Sequence, residues 1–431
     1  MRNVFVVGLD DFNLALMASL PEAADMRFHP LYTAAAIKQR DDFPVRALLR
    51  DAREQLQAFP GRVDAVVGYW DFPVSTCLPI IRQDAGLPGP SLESVLKCEH
   101  KYWSRREQQA TIPESIPRFQ AIDPFDEGSV RRLEIDFPFW IKPVKSVLSN
   151  LGFRVEDRQQ LDQALSRIRA GIARYAEPFN YVLGFASLPR EIAAVDGYHC
   201  IVEAIISEGH QCTVEGFARD GKMTCYGIVD SLREGPAASS FSRYQYPSRL
   251  PAPVRQRMER ISETIMTRVG FDNSPFNIEY YWDPHTDAIR LLEINTRLSK
   301  SHAPLFQLVD GVPHYRVMLA TAMGEAVSMP QRRGEYPLAA KFMVRRYGDA
   351  RVSRVPDAQR IREVEQAVPG TRIQVHPGAG QWLSELRDQD SYSYEVAVVS
   401  VGGRDGADLE AKYQRCLALL ELEFVEEGES P

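Results

Sequence analysis

"LLEINTRLSKSH", residues 291–302, begins as an apolar run in which polar side chains recur at every second position. Side chains of a β-strand alternate between its two faces, so this spacing predicts a strand with one polar face. The predicted polar face holds Leu291, Glu293, Asn295 and Arg297. The predicted apolar face holds Leu292 and Ile294. A polar face on a strand that is anchored in a core requires a partner.

The preceding segment, FNIEYYWDPHTDA, is predicted to be that partner, as the first strand and turn of a hairpin. Its polar face is predicted to hold Asn277, Glu279 and Tyr281. The sequence DPHTDA has the composition of a turn. If residues 284–288 form the loop, Asp283 pairs with Ile289. The same register places Glu279 opposite Glu293.

This pair of carboxylates predicts a metal site. Ionised carboxylates that face each other across a hairpin repel, so the pairing is stable when a cation lies between them. Carboxylate and amide oxygens are ligands of Mg²⁺, usually together with phosphate oxygens, and Asn295 adds a third oxygen. Arg297 adds a planar fork of donors suited to a phosphate. The alternative is a solvated polar sheet face; the apolar residues of the opposite face favour the metal site.

The composition is that of a globular protein with two or three packed units. The chain has 431 residues, of which 44% are hydrophobic and 25% are charged. It carries 51 Lys and Arg against 58 Asp and Glu, a net charge of -7. This balance argues against a nucleic-acid partner, although it leaves room for a local basic site that binds a small anion.

Targeting and redox signals predict a cytoplasmic protein that does not enter a membrane. The start, MRNVFVVGLDD, has only a short apolar run before two acids, and no segment has the apolar length of a membrane span. The six cysteines include no C-x-x-C pair, which is typical of reduced thiols.

The order of patterns along the chain predicts three domains. Residues 1–95 alternate strand-like and helix-like pieces, which is typical of a parallel α/β domain, but they lack the dinucleotide motif G-x-G-x-x-G. Residues 331–431 are rich in strands and end in a helix, which predicts an α+β subdomain. Residues 91–109 between them predict a helix. Its basic residues are each best interpreted as part of a solvated face: Lys97, Lys101, Arg105 and Arg106.

The ordered set of these residues resembles the ATP-grasp superfamily, and within it the carboxylate-amine ligases. The resemblance covers most of residues 1–330 and is most specific in the hairpin. It implies an α/β fold in which a domain at residues 96–330 clasps ATP between α+β lobes, with a small covering lobe at about residues 125–210. It also implies that three hairpin residues bind two Mg²⁺ ions, or Mn²⁺: Glu279, Glu293 and Asn295.

The same resemblance assigns nucleotide contacts. Lys101 and Lys142 would contact the ATP phosphates, and Arg297 would hold the transferred phosphoryl group, so that Arg297 and Lys142 are the catalytic candidates. Glu203, in "IVEAII", would accept from the adenine amino group. The adenine ring would pair with the backbone of Ala204 and Ile206.

The chain also departs from the family pattern. A glycine-rich phosphate loop is replaced by VKSVLSNLGF, in which Lys145, Ser146 and the backbone up to residue 150 are predicted to substitute. Gln211 stands where relatives commonly carry an acid for the ribose hydroxyls. Ser299 and Lys300 replace glycines that commonly follow the arginine.

The resemblance predicts a ligase that joins a carboxylic acid to an amine through an acyl-phosphate, with amino acids as substrates and a possible homodimer. Lys300, His302 and Arg345 are the candidates for substrate contacts, and residues 240–250 are a candidate mobile cover. Two alternatives remain open. One is a biotin-carboxylase-like enzyme or a carboxylate-thiol ligase; the other is a nucleotide-binding regulatory protein with a degraded site.

Overall fold

The computed structural model describes residues 1–38, 43–147, 150–234, 240–386, 389 and 393–426. These residues form two compact units. The first contains the described residues of 1–227, 250–300 and 315–328, and the second those of 228–249, 301–314 and 329–431. The domain limits predicted at residues 95 and 330 remain predictions. No helix in the described ranges is long and apolar enough to cross a membrane.

The N-terminal part of the first unit is a parallel α/β arrangement. In chain order it contains β1 (Arg2–Leu9), α1 (Asp11–Ala18), β2 (Met26–Thr33), α2 (Ala34–Lys38), α3 (Val45–Ala58), β3 (Ala65–Gly68) and α4 (Val74–Asp84). The strands are parallel, in the order β2-β1-β3. Val7 and Val66 of this sheet pack with Leu48 and Ile81 of the helices in one apolar core. The predicted N-terminal parallel α/β fold is therefore confirmed.

The next segment forms α5 (Leu92–Glu99) and α6 (Lys101–Gln109), where the sequence predicted one continuous helix. The break lies at His100, whose backbone is extended (φ -81°, ψ 100°) and whose ring accepts from the backbone N–H of Trp103. The other ring nitrogen lies 2.7 Å from the carbonyl of Val195. A buried, doubly bonded His100 thus separates the helices and makes Lys101 the first residue of α6.

A small lobe of the first unit follows. It contains β4 (Phe119–Ile122), α7 (Glu127–Arg131), β5 (Phe139–Pro143), β6 (Phe153–Val155), α8 (Arg158–Gly171), α9 (Ala173–Leu183), α10 (Arg190–Ala193) and β7 (Cys200–Ala204). Its strands are antiparallel, in the order β4-β7-β5-β6. The apolar face of α8, with Leu161 and Ile168, packs on the sheet residues Ile141 and Val202. This lobe carries the predicted strand lysine and the predicted adenine-binding strand.

The hairpin belongs to an antiparallel sheet of the first unit. The chain continues with β8 (His210–Arg219), β9 (Lys222–Glu234), β10 (Ser240–Tyr246), α11 (Ala252–Val269), β11 (Ser274–Asp283), β12 (Ala288–Asn295), α12 (Ala303–Asp310) and α13 (Tyr315–Ala322). In the first unit β11 pairs with both β12 and β8. Helix α11 ends at Gly270, whose φ of 70° is a left-handed conformation that glycine adopts without a steric penalty.

The second unit contains β10, α12 and the C-terminal elements. These are β13 (Leu338–Arg346), β14 (Arg351–Arg354), α14 (Ala358–Ala367), β15 (Thr371–Val375), β16 (Tyr394–Gly403), α15 (Gly406–Leu420) and β17 (Glu423–Val425). The sheet order within it is β10-β13-β16-β15, and α14 and α15 cover one face through a core that includes Phe342 and Val399. Short 3₁₀ helices of the chain are Pro21–Asp25, Pro113–Ser115, Lys300–His302 and Leu383–Glu385.

Candidate active site

The hairpin has the predicted pairing at its polar end. Glu279 pairs with Glu293, and Asn277 pairs with Asn295. The turn is one residue shorter than predicted, because Asp283 pairs with Ala288 rather than with Ile289. A bulge between Glu279 and Tyr280 restores the register toward the polar end. The carboxylates therefore face each other although the predicted turn pairing was wrong.

The bulge also corrects the predicted faces of β12. Leu291 is fully buried, whereas Leu292 is partly exposed, so their predicted sides are exchanged. The bulged strand has an extra residue at Leu292, and strict alternation is lost there. Two backbone carbonyls at the bulge accept from one guanidinium: Arg105 Nη1 lies 3.0 Å from the oxygen of Leu291, and Arg105 Nη2 lies 2.8 Å from that of Leu292.

Arg105 is a buried residue that sequence reasoning assigned to a solvated face. Its side chain is 3% exposed, and its Nε lies 2.5 Å from Glu203 Oε1. The second oxygen of Glu203 accepts from Lys142 Nζ at 2.7 Å. Burial opposes ionisation of Glu203, but Arg105 and Lys142 outweigh it and lower the pKa of that carboxyl to about 2. Arg105 thus joins the adenine-binding candidate to the hairpin.

Lys101 reaches the metal candidates. Its ammonium lies 3.0 Å from Glu293 Oε1 and 3.3 Å from the carbonyl of Ser146. Its backbone N–H donates to the carbonyl of Val144 at 3.0 Å, directly after β5. Burial lowers the pKa of the Lys101 ammonium, and Glu293 opposes this shift. Burial raises the pKa of Glu293, but Lys101 and Lys142 outweigh it and lower the pKa below the ordinary value.

Lys145 is buried, and Glu99 connects it to the residues that follow β12. Glu99 Oε2 accepts from Lys145 Nζ at 2.6 Å, and Glu99 Oε1 accepts from the hydroxyl of Thr296 at 2.6 Å. Glu99 was not predicted as a site residue. It connects Lys145, in the predicted phosphate loop, to Thr296, which lies between Asn295 and Arg297. Ser146 is also buried. Of the predicted backbone contacts after Ser146, residues 148 and 149 lie outside the described residues.

Arg297 lies between carboxylate and amide groups of the first unit. Its Nη2 is 3.0 Å from Asp71 Oδ2 and 3.4 Å from Asn295 Oδ1. The amide of Asn277 donates to the Arg297 carbonyl at 2.8 Å. Burial raises the pKa of Asp71, but Arg297 and Lys145 outweigh it and hold the pKa well below its usual range. Asp71 was not predicted, and it follows β3 of the parallel sheet.

One donor of the Arg297 guanidinium differs from the others in its contacts. Arg297 Nε is buried and has no hydrogen-bond partner among the described residues. A buried donor without a partner is costly, and it is satisfied when an anion binds beside it. This orphaned donor fits the phosphate contact that the resemblance implies for Arg297.

Gln211 lies beside the metal candidates. Its Nε2 donates to Glu279 Oε2 at 3.1 Å, and its Oε1 accepts from the hydroxyl of Tyr281 at 2.9 Å. Ala204 ends β7 and donates its N–H to the carbonyl of Arg118 at 2.9 Å. Ile206 follows in the chain after β7. The nucleotide roles of these residues remain predictions.

The three substrate candidates are divided between the two units. Lys300 belongs to the first unit, where its ammonium is 3.0 Å from the ring centroid of Trp70. His302 and Arg345 belong to the second unit. The ring of His302 meets that of Tyr244 edge-on, with centroids 5.1 Å apart.

The donor chemistry of the hairpin fits a hard divalent cation. Among the described residues no group of three or more His, Cys, Asp and Glu side chains is arranged to hold a metal ion. The predicted set instead combines the carboxylates of Glu279 and Glu293 with the amide of Asn295. Oxygen-only sets of this size suit Mg²⁺, which keeps other positions for water and phosphate oxygens.

Part of the chain resembles known proteins in sequence. Residues 135–302 match the model of the ATP-grasp domain family. Carbamoyl phosphate synthase large chains are sequence relatives: that of Thermus thermophilus is 25% identical over 239 residues, 55% of this chain and 21% of the relative. That of Xylella fastidiosa is 22% identical over 239 residues, 55% of this chain and 20% of the relative. The chain thus spans about a fifth of the curated relatives it matches.

Solved structures with a similar fold align over nearly the whole chain. L-amino acid ligase from Bacillus licheniformis has a TM-score of 0.72 and 15% identity and covers 99% of both chains. Biotin carboxylase from Campylobacter jejuni has a TM-score of 0.67 and 14% identity, with 99% of this chain and 92% of that chain covered. These likenesses show the fold. The sequence match to the ATP-grasp domain is confined to residues 135–302, and the similarity of fold extends over nearly the whole chain.

Proposed function

We propose that the protein is an ATP- and Mg²⁺-dependent ligase that joins a carboxylic acid to an amine through an acyl-phosphate, with amino acids as substrates. The observation that carries the proposal is the hairpin pairing of Glu279 with Glu293, with Lys101 bonded to Glu293 and Arg297 two residues beyond Asn295. Oxygen ligands of the hairpin thus lie beside a cation of α6 and near Arg297 in sequence, and phosphoryl transfer requires both kinds of group.

Each group of the proposed site has a role that its chemistry allows. Glu279, Glu293 and Asn295 would hold Mg²⁺, which neutralises phosphate charge when it is bound. Lys101 and Lys142 are cations for the ATP phosphates, and both now contact carboxylates that a phosphate would compete with. Lys145 is also a proposed phosphate contact, and its ammonium lies 2.6 Å from Glu99 Oε2.

The proposed reaction needs positioning rather than a protein nucleophile. A carboxylate oxygen of the acid attacks the γ-phosphorus, ADP leaves, and an acyl-phosphate forms. The amine then attacks the acyl carbon, the C–O bond to phosphate breaks, and the ammonium proton is lost to give the amide. Arg297, through its unpartnered Nε, would bind the transferred phosphoryl group while its Nη2 is held by Asp71.

Cellular location and assembly are separate parts of the proposal. All six cysteines of the chain are free thiols in the described residues, which supports the predicted cytoplasmic location. The homodimer stays a prediction. The names of the similar proteins include biotin carboxylase and carbamoyl phosphate synthase, so a carboxylate other than an amino acid is the second candidate.

The test is release of ADP and phosphate from ATP and Mg²⁺ with pairs of amino acids, with bicarbonate and biotin, and with thiols. We expect release that depends on an amine. Glu293→Gln should reduce the rate roughly 100- to 1,000-fold, because a metal ligand and the Lys101 partner are lost together. Glu191→Gln, in the exposed ion pair with Arg106, is the matched control and should retain the rate.

The outcomes separate the alternatives. Release that needs bicarbonate and biotin, or a thiol, would replace the amine by that acceptor. ATP binding measured by calorimetry without release under any condition would favour the regulatory protein. Absence of ATP binding would contradict the nucleotide site itself.

A further inference from the structure

The first unit contains an open cavity of about 470 Å³ that the proposed function does not use. Three segments line it: one face of α11, the start of β12 with the turn before it, and residues between 111 and 115, which follow α6. None of the lining residues is among the predicted nucleotide, metal or substrate residues. Pockets for small ligands have volumes of roughly 300 to 1,000 Å³. The cavity is therefore large enough for a small organic molecule.

Within the described residues, three arginines line this cavity. Arg257 and Arg260 are three residues apart on α11, so they lie on the same face of the helix as Ile261. Arg290 approaches from β12. Like charges around one cavity repel each other, so the arrangement is stable when negative groups lie among them.

The protein supplies a carboxylate to one of these arginines. Arg257 Nη2 lies 2.5 Å from Asp287 Oδ1, which also accepts from Trp282 Nε1 at 2.8 Å. Arg290 donates to the neutral backbone carbonyl of Glu114. No carboxylate in the described ranges lies at ion-pair distance from Arg260 or Arg290, whereas Arg257 has such a pair. Two of the three guanidiniums thus have positive charge that the surrounding chain does not pair.

Arg257 adds a buried donor to the cavity. Its Nε is buried and has no hydrogen-bond partner in the part of the chain that the structure describes. A buried N–H without an acceptor is costly, and an oxygen of a bound ligand would satisfy it. The unpaired guanidiniums and this donor call for the same kind of group, an anion with several acceptor oxygens.

The remaining wall of the cavity is apolar. Ile112 and Ile289 line it and are 3% and 6% exposed, and Ile261 of α11 lies beside them in the lining. A ligand that matches both parts of the cavity carries anionic oxygens on a small apolar body. Guanidinium groups bind phosphate and carboxylate in the same forked geometry, so both groups meet this requirement.

We propose that this cavity binds a small organic dianion, a phosphate monoester or a dicarboxylate, through Arg257, Arg260 and Arg290. Two negative charges match the two guanidiniums that lack a carboxylate, and the apolar body of the ligand contacts Ile112 and Ile289. The site is separate from the proposed ATP site and does not depend on the ligase reaction.

Calorimetric titration of the full chain with phenyl phosphate, phthalate and neutral phenol tests the site. We expect at least one dianion to bind and phenol not to bind. Arg260→Met should weaken binding of the dianion roughly 10- to 100-fold, the worth of hydrogen bonds to a charged group. Arg260→Lys should weaken it less, because the charge is kept and the fork is lost. Arg260 is exposed, so both variants should fold.

Arg268→Met is the matched control on the same helix. The Arg268 guanidinium is already paired with Glu107 at 2.9 Å and does not line the cavity, so this variant should bind the dianion as the wild type does. Comparison of phenyl phosphate with phthalate then distinguishes the two sources of the dianion.

Lys101→Met separates the cavity from the proposed ATP site. Binding that is weakened by Arg260→Met and unchanged in Lys101→Met supports the proposal. Binding that is weakened by Lys101→Met and unchanged in Arg260→Met would assign the dianion to the ATP site and overturn it. Undetectable binding of both dianions, or equal binding of phenol, would also overturn it. Because turnover is not measured, failure of the ligase proposal would leave this result unchanged.

Discussion

The cations of the two units differ in how the chain satisfies them. In the first unit Lys101 contacts Glu293 at 3.0 Å, and Lys145 contacts Glu99 at 2.6 Å. In the second unit Lys341 contacts a hydroxyl, and the nearby Glu395 is bonded to other side chains. Both Lys101 and Lys341 have a pKa lowered by burial. The two lysines differ in their hydrogen-bond partners, a carboxylate for Lys101 and a hydroxyl for Lys341.

A cation that is paired with a carboxylate and a cation that is not differ in how freely they can bind a ligand. A cation that is bonded to a carboxylate has its position fixed before a ligand arrives, and a phosphate must compete with that carboxylate. A partly buried cation without a carboxylate leaves its charge to the ligand. On this basis the cations of the first unit are held in fixed positions, and Lys341 of the second unit is held by a hydroxyl alone among the hydrogen bonds of the described residues.

The largest expected effect is on the free energy of unfolding, when a buried and paired cation of the first unit is removed. Arg105→Met should lower the free energy of unfolding by about 3 kcal/mol, because it leaves Glu203 with one cation and two bulge carbonyls without a donor. Urea-induced unfolding measures it. The exposed pair of Arg106 with Glu191 provides the control, since Arg106→Met should cost about 1 kcal/mol or less. Equal costs for the two variants would contradict the account.

Acid should weaken the same pair. The pKa of Glu203 falls from its ordinary 4.5 to about 2 in the folded protein, so its contribution to stability is complete above pH 4.5 and is lost as the pH falls toward 2. From pH 5 to pH 3 the stability difference between the wild type and Glu203→Gln should shrink by about 2 kcal/mol. Urea midpoints at these pH values measure it, and a constant difference would show that Glu203 is not held ionised.

Asp71, the carboxylate partner of Arg297, tests whether a paired cation of the first unit depends on its partner for its position. Asp71→Asn keeps the shape of the side chain and removes its charge, so Arg297 loses its fixed position. We expect kcat to fall roughly 10-fold, as for other residues that orient a catalytic group, with the KM for ATP nearly unchanged. Asp84→Asn, in the exposed ion pair with Arg53, is the control. A change in KM for ATP without a change in kcat would assign Asp71 to nucleotide binding instead.

The sequence predicted the parallel N-terminal sheet, because its elements follow local periodicity. It also predicted the pairing of Glu279 with Glu293, but from a turn register that was one residue too long, and the bulge offset that difference. The predicted length of the turn and the predicted faces of Leu291 and Leu292 were wrong. A bulge adds a residue to one strand without a signal in the polar and apolar pattern. His100 likewise divides a helix whose pattern is continuous, because its ring is bonded elsewhere in the fold.

The supporting residues of the site were missed for a different reason. Arg105 and the carbonyl of Leu291 are 186 residues apart in sequence, and Glu99 and Thr296 are 197 apart. A charged residue on a helix is usually solvated, and only the tertiary contact distinguishes a buried arginine from a surface one. The contacts of Asp71, Glu99 and Arg105 therefore required the structure, whereas Glu293 and Arg297 were predicted from the hairpin pattern and Lys101 from the family resemblance.

The measurement that tests the ligase claim most directly is transfer of oxygen-18 from a labelled carboxylate substrate to phosphate. The account predicts that each released phosphate carries one labelled oxygen, because the bond between the acyl carbon and that oxygen breaks when the amine attacks. Phosphate without label, with turnover proceeding, would show that the carboxylate is not phosphorylated and would contradict the proposed acyl-phosphate.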